Sequence, residues 1–187
     1  MKKKLSKNVP LCTAILIIVA LLAIPLLGGL KLSSAYRSVE KTFEKAVTTA
    51  DKHGKDLYTD TDDVISAAES ILSKGNALMS GKANSVFEKR ADQLETAIDA
   101  CSGAKTAIER YRTYENVATS AKLFVNTFSG DELAELNGLM GEIDSQSARI
   151  RRSYRDAYNE FTGSADKLLS AFPAKAIAGL FKIGGER

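Results

Sequence analysis

The stretch from Leu133 to Phe172, with the sequence LAELNGLMGEIDSQSARIRRSYRDAYNEFTGSADKLLSAF, decides the fold of this chain. Its core-facing positions recur every three or four residues without a miss, which is the spacing that places side chains on one face of an α-helix. These positions are Leu133, Leu136, Met140, Ile143, Ser147, Ile150, Tyr154, Ala157, Phe161, Ala165, Leu168 and Phe172. Pro173 follows and ends the helix. A long helix with one apolar face needs partner helices, so the stretch predicts a helical bundle.

Three segments nearer the N-terminus repeat the same spacing. Their apolar positions fall within residues 36–50, 64–78 and 87–128. Thr59 is the predicted cap of the second helix, whose first turn is acidic. Gly103 lies beside the one unfilled apolar position of the third segment, so we expect that helix to kink or break there.

No strand-like alternation competes with these helical patterns, so the predicted fold class is all-α. We expect an antiparallel up-and-down helical bundle over residues 31–173, with coiled-coil-like seams. Two arrangements remain open. Four helices would return the C-terminus to the level where the bundle begins. Alternatively, residues 31–80 form one kinked leg, and the bundle has three long legs.

Residues 8–30 contain no charged side chain, and four lysines stand in residues 1–7. At about 1.5 Å per helical residue the uncharged run reaches about 34 Å, enough to cross a hydrocarbon core of about 30 Å. The sequence therefore predicts a basic cytoplasmic tail at 1–7, a transmembrane anchor in the cell membrane at 8–30, and an extracytoplasmic bundle. Cleavage after Ala35, in the small-residue run Ser33-Ser34-Ala35, is the alternative to a retained anchor.

The charge balance excludes a nucleic-acid binder. The net charge is +3, but the four N-terminal lysines leave 22 basic residues against 23 acidic ones in the rest of the chain. A nucleic-acid-binding domain needs a positive field of its own. The two cysteines, Cys12 and Cys101, fall at different levels relative to the membrane, so no disulfide is expected. The heptad position of Cys101 predicts a buried thiol.

No residue pattern in the chain predicts catalysis, a cofactor or a metal. His53 is the only histidine, and no motif supports a nucleophile beside it. The acidic run from Asp56 to Asp63 lacks the glycine and the closing glutamate of a calcium loop, so it indicates a solvated helix start. We therefore expect a protein that is not an enzyme.

The C-terminal part of the chain resembles the bacterial LemA family. The resemblance is carried by Tyr158-Asn159, then by Phe172-Pro173, then by Ala178-Gly179 and Phe181. The family's second Tyr-Asn pair is Ala165-Asp166 here, and its tryptophan has no counterpart because this chain has none. The resemblance implies a helical bundle tethered to a membrane, with no established enzymatic activity. We also expect Asn159 to be a buried polar residue that fixes the helix register.

Two sets of residues are candidates for contacting a partner. One is the arginine cluster Arg149, Arg152 and Arg155, for which a salt-bridged, solvated face is the competing interpretation. The other is the amphipathic tail, residues 174–187, through Ile177, Leu180 and Phe181, which either docks on the bundle or contacts a membrane or partner. The predicted function is a scaffold or interaction protein of the bacterial envelope that binds an envelope protein or itself. The alternative is a ligand-binding or sensory ectodomain with a separate signalling partner.

Overall fold

The computed structural model describes the backbone of residues 9–51, 53–81, 84–170 and 174–184, and within these ranges the side chains from residue 27 onward except that of Leu180. The described residues form six α-helices and no strand, so the predicted all-α class is confirmed. The helices are α1 (Val9–Thr48), α2 (Leu57–Leu78), α3 (Ser85–Ser102), α4 (Ala107–Val125), α5 (Gly130–Ser170) and α6 (Ala174–Phe181).

The predicted third segment is two helices. Gly103 is the C-cap of α3, and Thr106 begins α4 with a capping box in which Glu109 returns the hydrogen bond. The break predicted beside Gly103 is therefore confirmed. The predicted number of helices, four or three long legs, is too low, because this segment forms two helices that pack on each other. Asp56, and not Thr59, caps α2, since its carboxylate accepts a hydrogen bond from the Thr59 N–H at 2.8 Å.

Contacts divide the chain into two compact units. The first contains α1 up to Lys41 together with the chain from Phe161 onward, and the second contains Thr42–Glu160. Within the second unit α2, α3 and α4 pack on one another. Helix α5 runs antiparallel to α2, because residue 60 on α2 pairs with residue 149 on α5 while residue 74 pairs with residue 135.

The core of the second unit follows the predicted heptad face of α5. Leu136, Ile143 and Ile150 are fully buried, and each large apolar side chain contributes about 1.5–3 kcal/mol when it leaves water. Gly75 on α2 lets the Phe124 ring of α4 approach so closely that a Cβ at residue 75 would lie 2.5 Å from its Cε1. The predicted burial of Cys101 is confirmed.

Aromatic rings join the last turns of α1 to α4 and α5 in the second unit. Phe43 meets Tyr111 and Tyr158 edge to face, with ring centroids 6.3 and 6.0 Å apart. The rings of Tyr111 and Tyr158 lie 4.5 Å from each other. Such pairs add about 0.5–1.5 kcal/mol each beyond burial, so this cluster fixes the end of α1 in the core.

The predicted anchor at residues 8–30 falls largely outside the residues whose side chains are described, and the tail at 1–7 falls wholly outside them. Among the residues that are described, no helix is both long and apolar enough to cross a membrane.

Candidate functional site

The second unit contains a fully buried carboxylate. Asp60 has no exposed surface, and it shares the inward face of α2 with Leu57 and Val64. The Asp56 cap sets the first turn of α2, and this register turns residue 60 inward. Because an unpaired buried carboxylate is strongly unfavourable, its partners determine whether the unit is stable.

Two side chains of α5 meet this carboxylate. Arg149 donates from Nε to both oxygens of Asp60 at 2.9 and 3.0 Å, and its Nη2 donates to Asp51 at 2.8 Å. The Tyr154 hydroxyl donates to Asp60 Oδ2 at 3.0 Å. The guanidinium therefore ties the first turn of α2 and the loop before it to α5. We call these four residues the Asp60 cluster.

The pKa values of Arg149, Asp51 and Tyr154 in the Asp60 cluster are shifted, and each shift favours the form of the group that makes these contacts. The hydrogen bond to Asp60 raises the pKa of Arg149. The Lys55 backbone N–H, with help from Arg149, lowers the pKa of Asp51. Burial, and then the hydrogen bond to Asp60, raise the pKa of Tyr154. These shifts favour the charged forms of Arg149 and Asp51 and the neutral, hydrogen-bond-donating form of Tyr154, which suits an ionic connection between α2 and α5.

A second charged contact joins α2 to α4 beside the cluster. Arg110 is nearly buried, its Nη2 pairs with Asp62 at 3.0 Å, and its guanidinium lies 5.5 Å from the centre of the Tyr58 ring. Tyr58 donates its hydroxyl to Glu44 at 2.9 Å. Burial, and then that hydrogen bond, raise the pKa of Tyr58 to about 12.

An open groove lies between α2 and α5, between two ion pairs. Asp60 pairs with Arg149 at one end, and Lys74 pairs with Glu135 at 3.0 Å at the other. The two pairs stand 14 residues apart on both helices, which is about 21 Å of helix. The groove between them has a volume of about 660 Å³.

Small residues keep this α2–α5 groove open. Gly138 and Gly141 line it on α5, and a Cβ added to either would meet nothing within 4 Å. The lining is otherwise polar and mixed in charge, with hydroxyl, amide, carboxylate and ammonium groups. These residues are Lys55, Asp63, Ser66, Ser70, Glu142, Ser145 and Gln146, and Ala67 also lines the groove. The groove can therefore hydrogen-bond a polar ligand. Over the described residues, no three His, Cys, Asp or Glu side chains group closely enough to hold a metal ion.

The structure separates the predicted partner-binding arginines. Arg149 is held by the Asp60 cluster. Arg152 and Arg155 are exposed, and Arg155 pairs with its neighbour Asp156 at 3.5 Å. Asn159, predicted as a buried register residue, is exposed instead.

The predicted tail residues belong to the first unit. Ile177 is buried and Phe181 is partly exposed, whereas the side chain of Leu180 lies outside the described residues.

No family model, no curated protein and no solved structure matches this chain. The resemblance to the LemA family therefore stays a prediction that rests on its own residues. The Asp60 cluster was missed by the sequence reasoning, which assigned Asp60 to a solvated helix start. A usable signal was present, because Asp60 stands three residues after Leu57 and four before Val64 on an otherwise apolar face.

Proposed function

We propose that this chain is a membrane-anchored helical protein of the bacterial envelope that serves as a scaffold or interaction protein and is not an enzyme. The observation that carries the proposal is the continuity of α1. One unbroken helix runs from Val9 to Thr48, through the uncharged run and on to the aromatic cluster around Phe43. In this proposal the same helix contributes residues to the anchor and to the bundle. The LemA resemblance implies the same architecture.

The proposed partner surface is the exposed arginine face of α5. Arg151 pairs with Glu115 at 3.8 Å, Arg155 pairs with Asp156 at 3.5 Å, and both arginines are more than half exposed. Exposed pairs of this kind contribute only about 0–1 kcal/mol, so an acidic partner surface can replace them at little cost. Arg152 lies on the same exposed face. The partner is therefore an acidic envelope protein or an acidic surface of a second copy.

Photo-crosslinking in cells tests this surface. A photoreactive residue replaces Arg152 in the full chain, and a matched control replaces Glu95, an exposed residue on α3. The proposal expects one defined protein adduct from position 152 that is absent from position 95. Charge reversal of Arg151 and Arg155 to Glu should abolish that adduct. Equal adducts from both positions, or an adduct that survives the charge reversal, would contradict the proposal.

The second candidate function is a ligand-binding ectodomain, which the α2–α5 groove favours. Its volume of about 660 Å³ and its hydroxyl and amide lining suit a polar small molecule. A thermal-shift screen of the full chain against sugars and amino acids provides the test. Gly141→Leu fills the groove, and Gly163→Leu is the control on the same helix, since a Cβ at residue 163 also meets nothing within 4 Å.

A ligand that stabilises the wild type and Gly163→Leu, but not Gly141→Leu, would establish this second function. A screen without such a ligand, or one whose hits stabilise all three proteins equally, would reject it.

A further inference from the structure

Helix α6 lies directly on two consecutive glycines of α1. A Cβ added to Gly28 would stand 2.8 Å from Cδ1 of Ile177, and one added to Gly29 would stand 2.6 Å from the ring of Phe181. Real Cβ contacts are longer than this, so a side chain at residue 29 would displace the Phe181 ring, and one at residue 28 would require the end of the Ile177 side chain to move. The close approach fixes where Phe181 lies along α1: level with residue 29, at the end of the predicted anchor.

The end of α6 is fixed by its own backbone. Lys182 has a positive φ of 49°, and the Ile183 N–H donates to the Ala178 carbonyl at 3.0 Å. This is the hydrogen bond of a Schellman cap, and it turns the chain sharply after Phe181. Gly184, at φ 98°, then lies against Leu169 of α5. Within the first unit, α6 therefore packs on α1, and the turn that follows α6 packs on α5.

Apolar side chains and lysines are exposed on both sides of α1 at the level of this contact. Among the described residues five large apolar side chains are exposed, and three of them are at this level: Leu27 at 62%, Leu30 at 69% and Phe181 at 42%. Because α6 covers Gly28 and Gly29, Leu27 and Leu30 lie on the side of α1 that faces away from α6, whereas Phe181 is exposed on α6 itself. Lys31, Lys175 and Lys182 are exposed on or next to the same two helices. No acidic residue occurs between residues 174 and 184 or between residues 8 and 39.

We propose that these exposed side chains, which we call the patch, contact the surface of a bilayer that contains anionic phospholipids and that surrounds the end of α1 and the exposed side of α6. Leu27, Leu30 and Phe181 enter the interface, and the lysines face the lipid phosphates. The inference rests on the proposed anchor, because the uncharged run ends at Leu30 and Lys31 is the first charge after it. The last turn of a spanning helix lies at the interface, and Phe181 is level with that turn.

A second copy of the chain is the alternative binding partner for the patch. The lysines argue against it, since a self-paired contact would bring like charges together. Anionic headgroups are complementary to the same lysines, so the bilayer accounts for both the apolar and the charged part of the surface.

Tryptophan fluorescence provides the test, because the natural chain contains no tryptophan. Phe181→Trp places a single reporter in the patch, and Leu123→Trp is the control at an exposed apolar position on α4. Each full-length protein is reconstituted into phosphatidylcholine vesicles with phosphatidylglycerol and brominated lipid. We expect quenching of the tryptophan at position 181 to be at least about twofold stronger than at position 123, and to weaken when phosphatidylglycerol is omitted.

A further substitution tests whether the glycines of α1 position the helix. Gly29→Ala in the Phe181→Trp background should lower the quenching, since the new methyl displaces the ring from α1.

Flotation of the same vesicles separates the two proposals. Protein that does not float overturns both the anchor and the membrane contact. Protein that floats, but shows equal quenching at positions 181 and 123, overturns the contact of α6 and leaves the anchor standing. A photoreactive residue at position 181 tests the alternative partner. If it crosslinks two copies of the chain, and the tryptophan at position 181 is not quenched by lipid, a second copy replaces the bilayer as the partner.

Discussion

Removing the guanidinium of Arg149 tests how the buried carboxylate of Asp60 is stabilised. In the Arg149→Met variant the methionine keeps most of the apolar stem but leaves the carboxylate with only the Tyr154 hydroxyl. Breaking a buried ion pair from one side costs about 3–5 kcal/mol, because a charge stays buried without its partner. The Arg149 side chain is 30% exposed, so water screens part of the interaction. We therefore expect the lower end, about 3 kcal/mol.

Urea unfolding of the full chain in mild detergent, followed by the helical circular dichroism signal, measures this loss. With a slope of about 2 kcal/mol per molar urea, a loss of about 3 kcal/mol lowers the midpoint by about 1.5 M. Arg155→Met is the matched control on the same helix. Its side chain is 69% exposed and pairs with Asp156, which is itself exposed, so the substitution should cost less than about 0.5 kcal/mol.

A double variant checks the reason for the loss. Asp60→Asn combined with Arg149→Met leaves no buried charge, and the amide oxygen can still accept the Tyr154 hydroxyl. We expect this double variant to be more stable than Arg149→Met alone. If it is equally or less stable, or if Arg149→Met costs no more than Arg155→Met, the ion pair does not stabilise Asp60 and the reasoning is refuted.

Three further predictions concern glycine, capping and pH. Gly75→Ala should destabilise by about 1–3 kcal/mol because its methyl would overlap the Phe124 ring. Gly138→Ala should stabilise by about 0.5–1 kcal/mol because a Cβ there meets nothing within 4 Å, and urea midpoints that move in the same direction for the two variants would contradict the predicted difference between these glycines. Lys182→Gly should stabilise the end of α6 by about 1 kcal/mol because its φ of 49° is unfavourable for a side chain, and slower amide exchange there is the readout. In the folded state the pKa of Tyr58 is raised to about 12, so its contribution to the free energy of unfolding is present below pH 10 and is lost as the pH rises through 12. The free energy of unfolding should therefore fall less over this pH range in Tyr58→Phe than in the wild type, and identical pH profiles would exclude the prediction.

The helical class and the core face of α5 could be predicted because burial acts on a periodic pattern. Leu136, Ile143 and Ile150 all fall where the spacing predicts. The prediction slips near the end of the helix, where Leu169 is buried and the predicted Leu168 is only partly so. A strict heptad drifts by about 20° per repeat on a straight helix, which amounts to about one residue over five heptads.

The charged contacts could not be predicted in the same way. Asp60 and Arg149 are 89 residues apart, and periodicity carries no information about which charged residues meet across two helices. The apolar face of α2 could have indicated that Asp60 is buried, but not that Arg149 is its partner. The break at Gly103 was predictable because its cause is local, whereas the turn that makes α3 and α4 a hairpin depends on how they pack together.

The aromatic contact between Phe43 and Tyr158 affects how the protein folds while it is being synthesised. The two rings are separated by 115 residues of chain. At about 5–20 residues per second of synthesis, the second ring follows the first after on the order of ten seconds. Helices α2, α3 and α4 can pair through neighbours in the chain during this interval, but the inward face of α1 has no α5 to cover it. Tyr111 can pack on Phe43 earlier, but the side of the Phe43 ring that faces Tyr158 stays uncovered until residue 158 has been synthesised, and during this interval the chain is open to aggregation or to capture by a chaperone.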